Sequence, residues 1–475
     1  MHPWFGFEER RQTTMVAPSR VGGASRYRRA GSSNRLSSEA AADADAATYS
    51  TVPPVVVEFG SSCIRVGISG EAAPRRVVPT PPSLSRLPAC PDLKTPAQWD
   101  GVLYPLLSSI ATEHLLLKNL RSRRVLILEP TLVAPASFRD SICRVLFRYL
   151  SCPAVLFVPG PASIVLPYGL GLAHGLIVDV GAWEGRVACV GGGASGGSGS
   201  SPLLPTVRFA PCGLNRLAGR LMEVCNGAAD GGGQTSAVPI PSVEDGIGVL
   251  NAFFSHPSSA PTTTPSESND VELTVPSTEA PVRVDARMVS QILHEMYFDV
   301  ANPESLAHAL LSSLSSCPID LRRQVASSVV FVGGAVDFIP KLEERMVRSL
   351  AETLGEQESG QPTEAVAASC SSFRSLRPLV QVGLGVVYPL PFAPSVMAWT
   401  AASVYGTMEL PADEMVLQRA FLAGAPKKGM DGQEDHDRAE HLAGAVTKAK
   451  IGSSSSSSRQ KARKRQDMWR DYLSV

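Results

Sequence analysis

Three short stretches carry most of the chemistry that this chain's residue types could support. The first, Val55–Pro79 (VVVEFGSSCIRVGISGEAAPRRVVP), places an acid, Glu58, ahead of a turn of Gly60, Ser61 and Ser62, and a cation, Arg65, just beyond it. An acid, a small loop offering hydroxyls and amide donors, and a cation within so few residues could hold a metal-bound phosphate chain. The plainer alternative is a glycine-serine hairpin whose Glu58 and Arg65 pair with each other. The second stretch, GLIVDVG (Gly175–Gly181), ends a strand at Asp179, which could face a ligand or cap its own turn. The third is Gly333-Gly334, which follows an apolar run, Val329–Val332, and would let the backbone approach a bound group closely.

Positioning those residues takes regular elements, and the patterning supplies them. Val55–Val57 are β-branched and suit a buried strand. After the turn Ile64, Val66 and Ile68 alternate with Arg65 and Gly67, the period of a half-buried strand. Val125–Leu128 and Ala154–Val158 read as two more strands. Between them Phe138, Ile142, Val145, Leu146, Tyr149 and Leu150 recur at helical spacing toward a core, with Pro135 in the first turn. Such a β-α-β unit implies a right-handed crossover and a mostly parallel sheet. A further helix is predicted around Trp99–Leu117. Asp285 is placed to cap a helix carrying Val289, Ile292 and Leu293, and Pro303 to open another with Leu306, Leu310 and Leu314.

Composition bounds the function. The 475 residues suffice for two domains with real cores, and the formal net charge of zero argues against a general polyanion binder, so no nucleic-acid partner is expected. Nine cysteines are scattered without a CxxC pair or zinc-ligand spacing and read as reduced thiols of the cytosol or nucleus. The longest apolar run, Val382 to Ala402, is broken by Pro389, Pro391 and Pro394, so no membrane insertion is expected. Residues 1–50 and 424–475 read as disordered tails, the second with poly-Ser (Ser453–Ser458) and the basic cluster Lys461–Arg465. Residues 226–281, rich in Gly, Ser, Thr and Pro, read as a long disordered insertion.

The Val55–Pro79 stretch resembles, without a gap, the first phosphate loop of actin and actin-related proteins, with Glu58, Gly60, Ser61 and Arg65 at the family's acid, glycine, serine and lysine places, and Gly70, Ala73, Pro74 and Arg75 continuing its GxxAPR. Gly175–Gly181 resembles the second phosphate loop. Cys317–Pro340 resembles the helix, strand and Gly-Gly turn at the adenosine, and Pro391–Gly406 the closing tryptophan segment. Arg123–Gly160 resembles the strand-helix-strand unit between the loops. On these five ordered blocks the chain is identified as a member of the actin family. The resemblance implies an α/β fold with two lobes, of the actin/Hsp70/sugar-kinase type. Residues 51–169 with 383–423 would form one lobe and 170–382 the other, carrying the insertion in subdomain 4. It also implies an ATP or ADP site in which Gly60, Ser61, Ser62, Arg65, Asp179, Gly181, Gly333 and Gly334 meet the nucleotide, and Glu58 and Asp179 hold Mg.

The departures from the family are as informative. After Asp179 come Val180, Gly181, Ala182 and Trp183, so a serine donor, an aspartate and a glycine of the second loop are missing. Arg65 replaces a lysine, a planar fork in place of a point charge. There is no Gln between Arg123 and Val190 to orient an attacking water, and Asp337 replaces an apolar contact with the base. Nucleotide is expected to be weakly held, absent or not turned over. The stretch from Pro79 to Arg123 is too short for the family's pointed-end subdomain 2. The helix RVLFRYL (Arg144–Leu150) followed by Cys152-Pro153, the IDLRRQ helix start (Ile319–Gln324) and that shortening resemble most the branch found at the pointed end of dynactin. Its implied role is structural: capping a short filament of an actin-related protein, meeting other pointed-end dynactin subunits and supporting dynein-driven transport in the cytoplasm. The helix Pro135–Leu150 and the segment Met397–Leu410 are candidate docking surfaces, though each reads first as core. Rival readings are a nuclear actin-related subunit of a chromatin-remodelling complex and an active ATPase of the same fold.

Overall fold

The computed structural model describes residues 52–424 apart from 87–89, 91, 133, 193–199, 231–239, 256–269, 274–281, 356–371 and 412–413. The expected tails, including the Lys461–Arg465 cluster, lie outside the described residues. The described strands are, in chain order, β1 (Val55–Phe59), β2 (Cys63–Ile68), β3 (Arg76–Pro79), β4 (Val125–Leu128), β5 (Ala154–Val158), β6 (Gly175–Val180), β7 (Gly185–Gly192), β8 (Ser200–Pro202), β9 (Arg208–Ala210), β10 (Asp270–Leu273), β11 (Val282–Asp285), β12 (Val329–Val332) and β13 (Val416–Leu417). They form a six-stranded sheet in the order β13-β5-β4-β1-β2-β3, a five-stranded sheet β12-β6-β7-β8 with β9 also on β7, and the hairpin β10-β11. The chain is a mixed α/β protein.

The two larger sheets repeat one local plan. β1 pairs antiparallel with β2 on one side and parallel with β4 on the other. β6 does the same with β7 and β12. β4 and β12 are buried along their whole length, as expected for parallel strands covered on both faces. Alternation in β1 shows how the layers divide. Val55, Val57 and Phe59 face the helices Pro96–Ser109 and Ala136–Arg144, where Phe59 and Trp99 meet Phe138 edge-on at 5.3 and 5.9 Å. Val56 faces the other way, into a core shared with Leu126 and Leu128 of the first sheet, Ile177 and Val330 of the second, and the fully buried Trp399. A single apolar layer therefore joins both sheets, and the helix Met397–Tyr405 fills it.

Several expectations need correcting. Within 226–281 the described residues are folded: the helix Leu214–Asp230 runs into the segment, and the helix Val243–Ser255 buries Val249, Leu250 and Phe253. Val271, Leu273, Val282 and Val284 of β10 and β11 are buried in the same core. The segment's polar average concealed these apolar positions, which recur at helical and then strand spacing. Tyr149 does not face the core but is 53 % exposed, because the helix has widened into its last turn there. Pro135 precedes the helix rather than lying in its first turn, and Ser305, not Pro303, caps the helix Leu306–Ser316. The two proposed docking segments are mainly core, with Tyr149, Val404 and Met408 their exposed large apolar residues. Between Pro79 and Pro96 the described residues build the short helical turn Pro82–Leu84 and a reversal in which Leu93 N donates to the Cys90 carbonyl at 3.2 Å. No helix among the described residues is long and apolar enough to cross a membrane.

Candidate functional site: a cleft between two acid–arginine hairpins

All nine residues predicted from the sequence line one cavity of about 140 Å³ between the ends of β1, β6 and β12: Glu58, Gly60, Ser61, Ser62, Arg65, Asp179, Gly181, Gly333 and Gly334. The local sequence explains the convergence. Gly60 makes a tight reversal, since a Cβ there would lie 2.6 Å from the Cys63 carbonyl oxygen. The hairpin is tied to the end of β3 by Thr80, whose hydroxyl donates to the Gly60 carbonyl at 2.6 Å and whose amide donates to the Ser62 carbonyl at 3.1 Å. Gly333 has φ +102°, and a Cβ on it would stand 2.3 Å from the Val180 carbonyl and 2.8 Å from Asp179 Oδ1. Only glycine allows that turn to lie against the second hairpin. Gly334 faces open space, so close approach does not explain it.

The carboxylates are already engaged. Arg65 Nη1 donates to Glu58 Oε1 at 3.0 Å, and the two residues are directly opposite in the β1-β2 register. The plainer reading of that pair is therefore the realised one. Asp179 is directly opposite Arg186 on β7, with Nη1 3.6 Å from Oδ2. Arg186 also donates from Nε to Glu184 at 2.7 Å and from Nη1 to the Pro130 carbonyl, which follows β4 in the other sheet. Burial pushes both Glu58 and Asp179 above the usual carboxylate range. Their arginines pull the other way but less strongly, and the Asp179 charge raises Glu58 further. Glu58 Oε2 is buried without a hydrogen-bond partner.

The second hairpin is pinned from both sides. Trp183 Nε1 donates to the Ser85 carbonyl at 2.9 Å, and the Arg86 guanidinium lies 4.9 Å from the centre of the Trp183 ring, so the β6-β7 turn is fastened to the segment after β3. The amides of Gly213, Leu214 and Asn215, at the start of the helix Leu214–Asp230, donate to the carbonyls of Trp183, Gly181 and Ala182. Those amides are therefore spent on the turn rather than left for an anion. On the third wall Gly333 N donates to the Pro394 carbonyl and Asp337 Oδ2 accepts from Ser395 N, both at 3.0 Å. Asp337, read from the sequence as replacing an apolar contact with the base, thus holds the chain segment entering the Met397 helix.

Sequence reading missed Arg186, Trp183's anchoring to Ser85, and Glu129, which is 1 % exposed and paired with Arg139 through two hydrogen bonds. A signal for Arg186 existed: it follows Asp179 by the same seven residues that separate Arg65 from Glu58, with a glycine two places after each acid. EFGSSCIR and DVGAWEGR are two versions of one acid–x–Gly–x4–Arg hairpin. Nothing local marks Ser85 or Arg139 as partners, since their contacts depend on tertiary packing.

The surroundings of the two acids work against a divalent cation. A hard cation takes several oxygen ligands, and here each acid already has a guanidinium within 3.0–3.6 Å. Among the described residues no group of three or more His, Cys, Asp or Glu is placed to share a metal. The metal role expected of Glu58 and Asp179 is thus not supported by their surroundings. The cavity is comparable to one that holds a benzene-sized molecule and falls below the roughly 300–1,000 Å³ of most small-molecule sites. Among the described residues no His, Lys, Gln or Asn lines it, and burial raises the Cys63 thiol. No protein-family model matches the chain.

Proposed function

We propose that this protein is a non-catalytic structural subunit built on the actin fold, which caps the pointed end of a short actin-like filament in dynactin. Support for the fold comes from the repeated plan of the two sheets, each with an antiparallel hairpin and a parallel neighbour, and from the five ordered sequence blocks. One observation carries the non-catalytic part: both acids that would hold Mg are neutralised by arginines directly opposite them in their own hairpins. A filament subunit that cannot cycle through nucleotide states can still serve as a fixed end. The short connection between Pro79 and Pro96, with the helical turn Pro82–Leu84 among its described residues, fits a subunit with little to offer a further neighbour on that side.

Affinity purification of the tagged full chain from its own cells tests the assignment. Co-purification of a filament-forming actin-related protein with large coiled-coil and pointed-end subunits supports capping. Recovery of a chromatin-remodelling ATPase instead would overturn it. A single-turnover assay with radiolabelled ATP addresses catalysis separately, and phosphate release at actin-like rates would refute the non-catalytic reading.

A further inference from the structure

We propose that two exposed tyrosines, Tyr104 and Tyr149, form a docking ledge for this chain's own segment Met468–Leu473, which covers it in cis. The inference rests on that surface and on the sequence beyond Gly424, and not on the capping role. Tyr104 lies on the helix Pro96–Ser109, and Tyr149 in the last turn that continues the helix Ala136–Arg144. Their rings meet at 5.1 Å between centroids, yet they are 45 % and 53 % exposed. Large rings in contact are ordinary in a core; left half in water, they mark a surface that binds. The ledge is preformed. Arg144 Nε donates to both carboxylate oxygens of Asp100, one turn before Tyr104, at 2.8 and 2.9 Å, and so clamps the two helices together.

The place where the described chain stops selects the occupant. Its final helix, Gln418–Gly424, docks on the turn that carries Tyr149: the Phe421 ring lies 5.4 Å from that of Phe147, and Gln418 Nε2 donates to the Phe147 carbonyl at 2.7 Å. Whatever follows Gly424 is thereby tethered beside the ledge, at an effective concentration on the order of 1 mM. In 425–475 the aromatic residues are Trp469 and Tyr472, with Met468 and Leu473 next to them, the spacing of one helix face. These positions lie outside the described residues, and their sequence pattern is what nominates them. Residues 425–467 intervene, and an unconstrained linker of that length reaches about 35 Å on average. Charge agrees: Arg148, adjacent to Tyr149, is exposed and has no ion pair among the described residues, while Asp467 and Asp471 flank Trp469. An apolar helix face laid on an aromatic ledge needs only modest intrinsic affinity when a tether supplies the rest.

Photo-cross-linking of the full chain carrying Tyr104→p-benzoylphenylalanine reads this out, with the linked peptides identified by mass spectrometry. The expected product is a monomer in which position 104 is joined to the peptide containing 468–473, in a yield that dilution does not change. The same probe at Tyr388, which is 69 % exposed in a different part of the chain, should form that link about tenfold less, since no docking raises the local concentration there. Tyr149→Ser removes half of the ledge and should lower the yield from position 104 about threefold. Equal yields from positions 104 and 388 would overturn the proposal, because the segment would then be sampling the surface at random. Links between two chains would assign the ledge to a second copy, and links to Trp4–Phe7 would assign it to the other end of the chain; either overturns it. Absence of any link between position 104 and 468–473 overturns it too. If the Tyr104 variant does not fold, the probe at Tyr149 decides by the same outcomes.

Discussion

The two hairpins share an acid, a glycine two residues on and an arginine seven residues on, yet they treat the space between them differently. In the first, the turn is Gly60-Ser61-Ser62, Ser62 is exposed, and Arg65 turns back to its own Glu58. Its tip still has the small hydroxyls and compact backbone of a loop that could wrap an anion. In the second, the turn carries Ala182 and Trp183; Trp183 reaches the Ser85 carbonyl beyond β3, and Arg186 on β7 reaches the Pro130 carbonyl just after β4. The same motif is a local ion pair in one copy and a bridge in the other.

Removing the arginines should break the comparison most sharply. Arg186→Gln is expected to cost about 4 kcal/mol, at the level of breaking a buried pair, because it strips support from two carboxylates and a backbone carbonyl at once. Arg65→Gln should cost roughly half as much, about 2 kcal/mol, since it deprives one carboxylate whose burial already favours the protonated form. Urea unfolding of both variants checks the ratio. Equal losses would mean that Arg186 contributes nothing by crossing the cleft.

Glycine substitutions sharpen the contrast in backbone rather than charge. Gly60→Ala should destabilise by about 2 kcal/mol, because the new Cβ would press on the Cys63 carbonyl at 2.6 Å. Gly181→Ala should be within about 0.5 kcal/mol of wild type, with its Cβ 3.6 Å from the Glu184 carbonyl, an ordinary contact. The ligand-like turn is thus the tight one and the bracing turn the tolerant one. Similar losses by urea unfolding would show that the second turn is equally constrained.

Strand alternation and turn glycines are local signals and make the hairpins and the β-α-β unit legible, whereas the convergence of the nine site residues is legible only through the family resemblance. Three things escape the sequence. Arg186 carries its signal only when EFGSSCIR and DVGAWEGR are set side by side. The folded helix Val243–Ser255 escapes because the Gly and Pro around it dominate the composition of the segment. The Trp183–Ser85 contact escapes because its partners are 98 residues apart and neither residue type demands the other. In physical terms, local pattern announces which elements form, while the bonds that close the cleft depend on where two sheets come to rest.

A smaller effect tests whether Trp183 is a strut or a filler. Trp183→Phe keeps a ring beneath Arg86 but loses the donor to Ser85, and should cost about 1 kcal/mol. Combining Trp183→Ala with Arg86→Ala should show coupling of about 0.5 kcal/mol or more in a double-mutant cycle. A coupling of zero would make the stacked guanidinium a bystander and leave Arg186 as the principal bridge.

The subtlest test concerns the sign of the Glu58 contribution with pH. Had its pair with Arg65 dominated, the folded-state affinity for protons would be lowered, and the carboxylate would stabilise the protein increasingly as pH rises through the acid range. Burial instead raises that affinity. The folded state then holds a proton that the unfolded chain releases, so the stabilisation is complete below the ordinary carboxylate range and declines as pH rises through the raised value. Glu58→Gln cannot titrate. The stability of wild type relative to Glu58→Gln, followed by urea unfolding from pH 4 upward, should therefore fall with increasing pH. A difference that grows instead would show that Arg65 outweighs burial, and that the first hairpin holds its acid ionised and available to a ligand after all.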